Sequence, residues 1–147
     1  INQSQINVNW SPGLGIIDSY EIQRKLKGTG SFVDVATVPV GTKSYSDAGL
    51  NPNSNLNYRV RAVGPGGPSS WSNELGAITP PASPTSLAVT PGPGSASLSW
   101  SHQGGCIGFR IERKVGNGGF GFLEQVPASQ FNFTHQGLLD NVTVTYR

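Results

Sequence analysis

Cysteine occurs once, at Cys106, and methionine not at all in the 147 residues. A single thiol excludes an internal disulfide framework and any metal site built on a cysteine cluster. Preceded by Gly104 and Gly105, it reads as a small semi-buried residue without a special role. The absence of methionine even at the first position reads as a segment of a longer or processed polypeptide. Charge is equally sparse, at 12% of residues with a net of +2. That leaves no basic stripe for a nucleic acid and no acidic tail. No apolar run reaches the roughly 18 residues of a membrane-spanning helix, and no stretch carries a helical period.

What the chain has instead is turn chemistry, with Gly at 20 positions and Pro at 11, alternating with short period-2 runs. Such turns need a positive or a fixed φ. Ile6, Val8 and Trp10 point one way and Asn7 and Asn9 the other. Further strands are expected over residues 20–24, 32–38, 43–46, 56–63 and 71–78, the longest setting Leu56, Tyr58, Val60 and Ala62 on one face. Short strands at this spacing argue an antiparallel sandwich.

The pattern then repeats. Trp10 and Trp100 each end an alternating run and stand 90 residues apart. Phe32 and Phe120, Val38 and Val126, Gly49 and Gly137, Leu50 and Leu138, and Tyr58 and Tyr146 all stand 88 apart, so two residues are lost between the copies. Self-similarity of this period means tandem copies of one domain. Between them, Thr79-Pro80-Pro81-Ala82-Ser83-Pro84 interrupts any sheet, because proline lacks the N–H a ladder needs. A connector of this kind is a semi-rigid spacer, expected to set the units end to end.

In order, the first unit carries Trp10, Tyr20-Glu21-Ile22-Gln23-Arg24, Tyr45-Ser46-Asp47, Gly49-Leu50-Asn51-Pro52, Tyr58-Arg59-Val60-Arg61-Ala62-Val63 and Gly67-Pro68-Ser69-Ser70-Trp71-Ser72-Asn73. The second opens on Pro84-Thr85-Ser86-Leu87-Ala88-Val89 and repeats Trp100, Phe109-Arg110-Ile111-Glu112-Arg113 and Tyr146-Arg147. This set resembles the fibronectin type III family over nearly the whole chain. The resemblance implies an all-β fold of two tandem immunoglobulin-like antiparallel β-sandwiches. Residues 1–79 would form a domain lacking its first strand, and 80–147 a domain truncated within strand F. It also implies a structural core of Trp10, Tyr20, Ile22, Leu50, Tyr58, Val60, Trp100, Phe109, Ile111, Leu138 and Tyr146. The chain departs from the family in two side chains. The tyrosine that pins the family's E–F corner is replaced by Leu56 and Val144, and His135 stands at the position of Asp47. The open edges at either end are expected to be completed by the rest of a larger polypeptide or by a strand from a neighbouring subunit.

Catalytic chemistry finds little footing. His102 and His135 are the only histidines and lie on different segments, without metal-ligand spacing, so surface or hydrogen-bonding roles are expected for both. The carboxylates read mostly as solvated groups on outward positions or in turns, with Glu21 and Glu112 taken as equivalent cross-strand partners. Gly116-Asn117-Gly118-Gly119 has no following Lys-Ser/Thr and reads as a hairpin turn, not a phosphate loop. Arg-Gly-Asp is absent. Asn2, Asn9, Asn132 and Asn141 each begin an N-glycosylation acceptor.

These readings point to a non-catalytic extracellular or cell-surface module, structural or adhesive, with no cofactor, metal or nucleic acid. Its expected partners are other domains of the same polypeptide, neighbouring subunits in a fibre or surface assembly, and glycans. The alternatives are a spacer in a secreted polysaccharide-degrading enzyme, or a glycan-binding module with Trp71 as the ligand contact.

Overall fold

The computed structural model describes residues 4–147, and they fall into two compact units, Ile1–Pro80 and Pro81–Arg147. Every regular element among the described residues is a strand. Unit 1 contains β1 (Gln5–Asn9), β2 (Ser19–Leu26), β3 (Val33–Pro39), β4 (Ser44–Ala48), β5 (Asn55–Gly64), the short β6 (Gly67–Pro68) and β7 (Leu75–Ile78). Unit 2 contains β8 (Thr85–Gly92), β9 (Ser95–Ser101), β10 (Gly108–Val115), β11 (Gly121–Pro127), β12 (Asn132–Gln136) and β13 (Val144–Tyr146). All pairings are antiparallel.

In unit 1, β1 pairs β4 in one sheet, while the other runs β3-β2-β5, with β6 and β7 both against β5. In unit 2 the corresponding sheets are β12-β9-β8 and β11-β10-β13. Among the described residues no strand lies on the outer edge of β1, where β8 flanks β9 in the other copy. Likewise none flanks the outer edge of β13, where β7 flanks β5.

The two lost residues fall in different places. Trp10 to Trp100 is 90, Ile22 to Ile111 is 89 and Val38 to Val126 is 88, so one is lost before β10 and one in the β10–β11 turn. A bulge recurs in both copies. Ile22 faces Ala36 and Gln23 faces Asp34, leaving Val35 extra; Ile111 faces Glu124 and Glu112 faces Phe122, leaving Leu123 extra. The bulge re-aims the strand, which is why Val35 and Ala36 are both half-buried despite being adjacent.

That register corrects the pairing of Glu21 with Glu112. Each Ile precedes its bulge, so Glu112 occupies the place of Gln23, and Glu21 that of Arg110. Ion pairs follow the corrected register: Arg61 donates to Glu21 at 2.7 Å, whereas Glu112 takes Arg110 at 2.9 Å and Arg147 at 2.8 Å. Arg147 stands where Arg59 stands in unit 1, and Arg59 donates to Gln23 at 2.7 Å.

Each unit encloses one core, Ile6, Tyr20, Ile22, Leu56, Tyr58 and Val60 in the first and Ala96, Leu98, Trp100, Phe109, Ile111, Val126 and Tyr146 in the second. Three residues expected at full burial are only half-buried. Trp10 lies just past the end of β1, bonded to Lys43 on the β4 side but with no strand on its outer side among the described residues, while Trp100 lies inside β9 and is 8% exposed. Leu50 and Leu138 sit at the corner after β4 and β12 and cap the cores from the end. Gly49 and Gly137 before them turn the chain at φ of 73° and 74°, a region L side chains avoid. The expected strand over 71–78 is shortened to Leu75–Ile78. Residues 69–72 still bond β5, through Ser69 N–H to Ala62 and Ser72 N–H to Val60, each at 2.8 Å.

Candidate functional site

Three buried polar side chains stand among the described residues: Asp47, Thr79 and His135. Each marks a point where the fold is tied across elements.

Asp47, on β4, was expected among solvated carboxylates and is instead 4% exposed. Alternation explains this, since Tyr45 and Asp47 share the inward face of β4. Arg24 on β2 donates to both carboxylate oxygens, at 2.9 and 2.7 Å, and the Tyr58 hydroxyl on β5 donates to Oδ2 at 2.7 Å. The bridge joins the two sheets of unit 1. Burial opposes the charge on Arg24, but the Asp47 carboxylate outweighs it and the guanidinium pKa is raised. Burial, together with the bond to Asp47, raises the Tyr58 phenol as well.

Unit 2 builds the same bridge with different chemistry. Arg113 on β10 lies 2.8 Å from His135 Nε2, and Tyr146 Oη lies 2.8 Å from Nδ1, with the two rings edge-on at 86°. Arginine only donates, so Nε2 must be the acceptor. Nδ1 then carries the proton and donates to Tyr146. The neutral tautomer is thereby set by its partners. Burial is the main cause raising the Tyr146 hydroxyl, with Arg113 acting against it.

Thr79 answers the missing corner tyrosine. It is 1% exposed, and its Oγ1 accepts from Ser54 N–H at 2.8 Å while donating to the Asn51 carbonyl at 2.7 Å. A residue just beyond β7 therefore pins the β4–β5 loop that the family's tyrosine would otherwise hold from within it. Sequence reading missed Thr79 because the partner lies 28 residues away.

Trp71 is half-buried and stacked. The guanidinium of Arg59 sits 4.4 Å, and that of Arg61 4.3 Å, from its ring, and Arg59 also lies 3.9 Å from Phe32. Lys25 is 4.4 Å from Phe32. This cation–aromatic stack lies on the sheet face away from the core. Unit 2 keeps its lower end, with Arg147 4.2 Å from Phe120. Trp71 also meets Trp10, Tyr20, Ser69, Ser70 and Ser72 in an open recess of about 200 Å³.

His102 bonds the Ala82 carbonyl at 2.8 Å and accepts from Gly104 N–H at 2.9 Å, with Cys106 Sγ 3.7 Å from its Nδ1. It ties the loop after β9 to the stretch before β8. Among the described residues no group of three or more His, Cys, Asp or Glu is placed to hold a metal ion. Glu112 lies below the usual carboxylate range because Arg147 and then Arg110 bond it. Asn9, Asn132 and Asn141 are exposed; Asn2 lies outside the described residues. Gly116 to Gly119 form the β10–β11 turn, closed by Gly118 N–H to Val115 at 3.0 Å.

Paired antiparallel sheets tied by a buried polar bridge, built twice in one chain, define tandem immunoglobulin-like sandwiches. Residues 1–77 match the fibronectin type III domain family. The chain belongs to that family. Its fold is similar to that of a two fibronectin type-III domain segment from chicken tenascin, at TM-score 0.58 and 16% identity, covering 97% of this chain and 81% of that one. The FN1–FN3 domains of chicken CNTN1 match at TM-score 0.46 and 18% identity, over 97% of this chain and 55% of that one. No helix among the described residues is long and apolar enough to cross a membrane.

Proposed function

We propose that the chain is a non-catalytic structural or adhesive module of an extracellular or surface protein, acting as part of a longer polypeptide, fibre or appendage. One observation carries this reading. The buried polar side chains, Asp47, Thr79 and His135, are all engaged in ties between sheets or between a loop and a strand. Groups that an enzyme would aim at a substrate are here directed at the protein itself. Exposed acceptor sites at Asn9, Asn132 and Asn141 support an extracellular setting. Its partners on this reading are adjacent domains and neighbouring subunits.

The recess where Trp10, Tyr20 and Trp71 meet Ser11, Ser69, Ser70 and Ser72 favours a second reading, glycan binding. Against it, Arg59 and Arg61 already stack on the Trp71 ring, and a sugar would have to displace them.

Calorimetric titration of the 147-residue chain with oligosaccharides, beside single-molecule extension, separates the two. A load-bearing module gives discrete unfolding events, no saturable heat and no turnover. Saturable sugar binding that Trp71→Ala abolishes would hand the function to the second reading, and hydrolysis of any sugar would overturn both.

A further inference from the structure

The two inter-sheet bridges share their arginine and tyrosine and differ in the residue between. Arg24, Asp47 and Tyr58 correspond to Arg113, His135 and Tyr146 by strand and by register. A carboxylate accepts from both partners at any pH where it is ionised. An imidazole serves the same post only while Nε2 is bare.

We propose that His135 is an acid-operated release in unit 2: protonation breaks the Arg113 half of the tie between its two sheets at mildly acidic pH and leaves them joined through Tyr146 alone, while the Asp47 bridge of unit 1 keeps both halves. The groups facing His135 come from two elements across the sandwich. Arg113 from β10 points its Nη1 at Nε2, and Tyr146 from β13 meets Nδ1. Beside β12 in its own sheet, β9 sets Ala96 opposite. Glu112, the neighbour of Arg113 on β10, is bonded to Arg110 and Arg147, so no described carboxylate bonds or pairs with an imidazolium here.

A proton on Nε2 converts the acceptor into a donor aimed at another donor, and sets a second positive charge 2.8 Å from Arg113. The hydrogen bond is lost and like charges repel at a residue that is 8% exposed. The Tyr146 contact survives, because Nδ1–H donates in both states. Only the link to β10 breaks.

Burial first, then the charge of Arg113, holds His135 below its ordinary value of 6.5. Below that value the unfolded chain takes up the proton more readily than the folded one. Stability of unit 2 is therefore full above the unfolded value, falls as pH drops through the interval between the two values, and levels off below the folded one.

Segment-resolved amide exchange of the whole chain at about pH 7.5 and about pH 5, either side of the histidine range, tests this. After correction for intrinsic rates, protection over 108–115, 132–136 and 144–146 should fall by up to about tenfold for each pH unit that the change to pH 5 spans between the ordinary histidine value and the folded one. Protection over 44–48 and 55–64 should hold. His135→Asp, which installs the unit 1 acceptor, should remove the acid loss. An equal loss in both units, no loss in either, or a loss that persists in the Asp variant overturns the proposal. Should that variant misfold, an NMR titration of the His135 ring in the unaltered chain decides. A midpoint below 6.5 supports the release; one at or above 6.5 overturns it.

Discussion

Replacing Thr79 with valine tests whether the β4–β5 corner is held by a hydroxyl from outside it. Valine keeps the shape and removes one oxygen that makes two hydrogen bonds, to Ser54 N–H and the Asn51 carbonyl. Each orphaned buried group costs about 1–3 kcal/mol. Asn51 is exposed and Ser54 half-buried, so water reaches both in part and the lower end of that range applies, about 2 kcal/mol together. A better-buried methyl returns up to about 0.8 kcal/mol, leaving a net loss of about 1–2 kcal/mol. At a urea m-value of about 1–2 kcal/mol/M, the midpoint of unit 1 should fall by roughly 1 M. Amide exchange in denaturant follows unit 1 separately from unit 2. Thr79→Ser is the control, keeping the hydroxyl and losing only the methyl. If packing alone held this site, serine would be the worse substitution and valine nearly silent. That order of effects would refute the corner assignment.

Trp100→Ala should destabilise unit 2 by about 3–5 kcal/mol, and Trp10→Ala should cost unit 1 less, because Trp10 is only half-buried; equal losses in denaturant melts would contradict the rim placement of Trp10. Trp71→Ala removes two cation–aromatic contacts worth about 0.5–1 kcal/mol each at exposed sites, so a thermal melt should show a loss of about 1–2 kcal/mol confined to unit 1. Gly64→Ala should destabilise unit 1 through its backbone, because a Cβ there would strike the Ile16 carbonyl; an unchanged melting temperature would count against that close approach. Passage through a glycosylating secretory pathway should add glycosidase-removable mass at Asn9, Asn132 and Asn141, read by peptide mass spectrometry.

Strand alternation was legible because the side-chain period is 2 and the buried face of β5 is unbroken from Leu56 to Val60. The family set was legible because its motifs recur in order. What sequence reading lost was fine register. Glu21 and Glu112 stand 91 apart whereas the isoleucines beside them, Ile22 and Ile111, stand 89 apart, so Glu112 was set in the place of Glu21, which Arg110 occupies. Burial of Asp47 was readable from Tyr45-Ser46-Asp47, yet a lone carboxylate defaults to solvent unless its partners are known. Arg24 and Tyr58 lie 23 and 11 residues from it, and nothing local announces them.

The two copies, read against each other, separate what the sandwich needs from what it tolerates. Outward pairs change freely: Arg61–Glu21 in one copy, Arg110–Glu112–Arg147 in the other. Ion pairs on the outer sheet face, still reached by solvent, contribute little, so their identity is only weakly constrained by stability. The buried bridge is different. A tyrosine hydroxyl and a guanidinium converge on one point between the sheets in both units, and both can donate into it, so the residue there must accept from at least the guanidinium or leave buried donors orphaned. Aspartate and neutral histidine both satisfy that demand near neutral pH. They differ in which proton uptake ends it: for the aspartate a carboxylate must be protonated, for the histidine an imidazole whose ordinary value is 6.5. On the proposal above, a substitution silent in the folded geometry at pH 7 thus sets the condition under which one copy loses its arginine link between the sheets and the other keeps it.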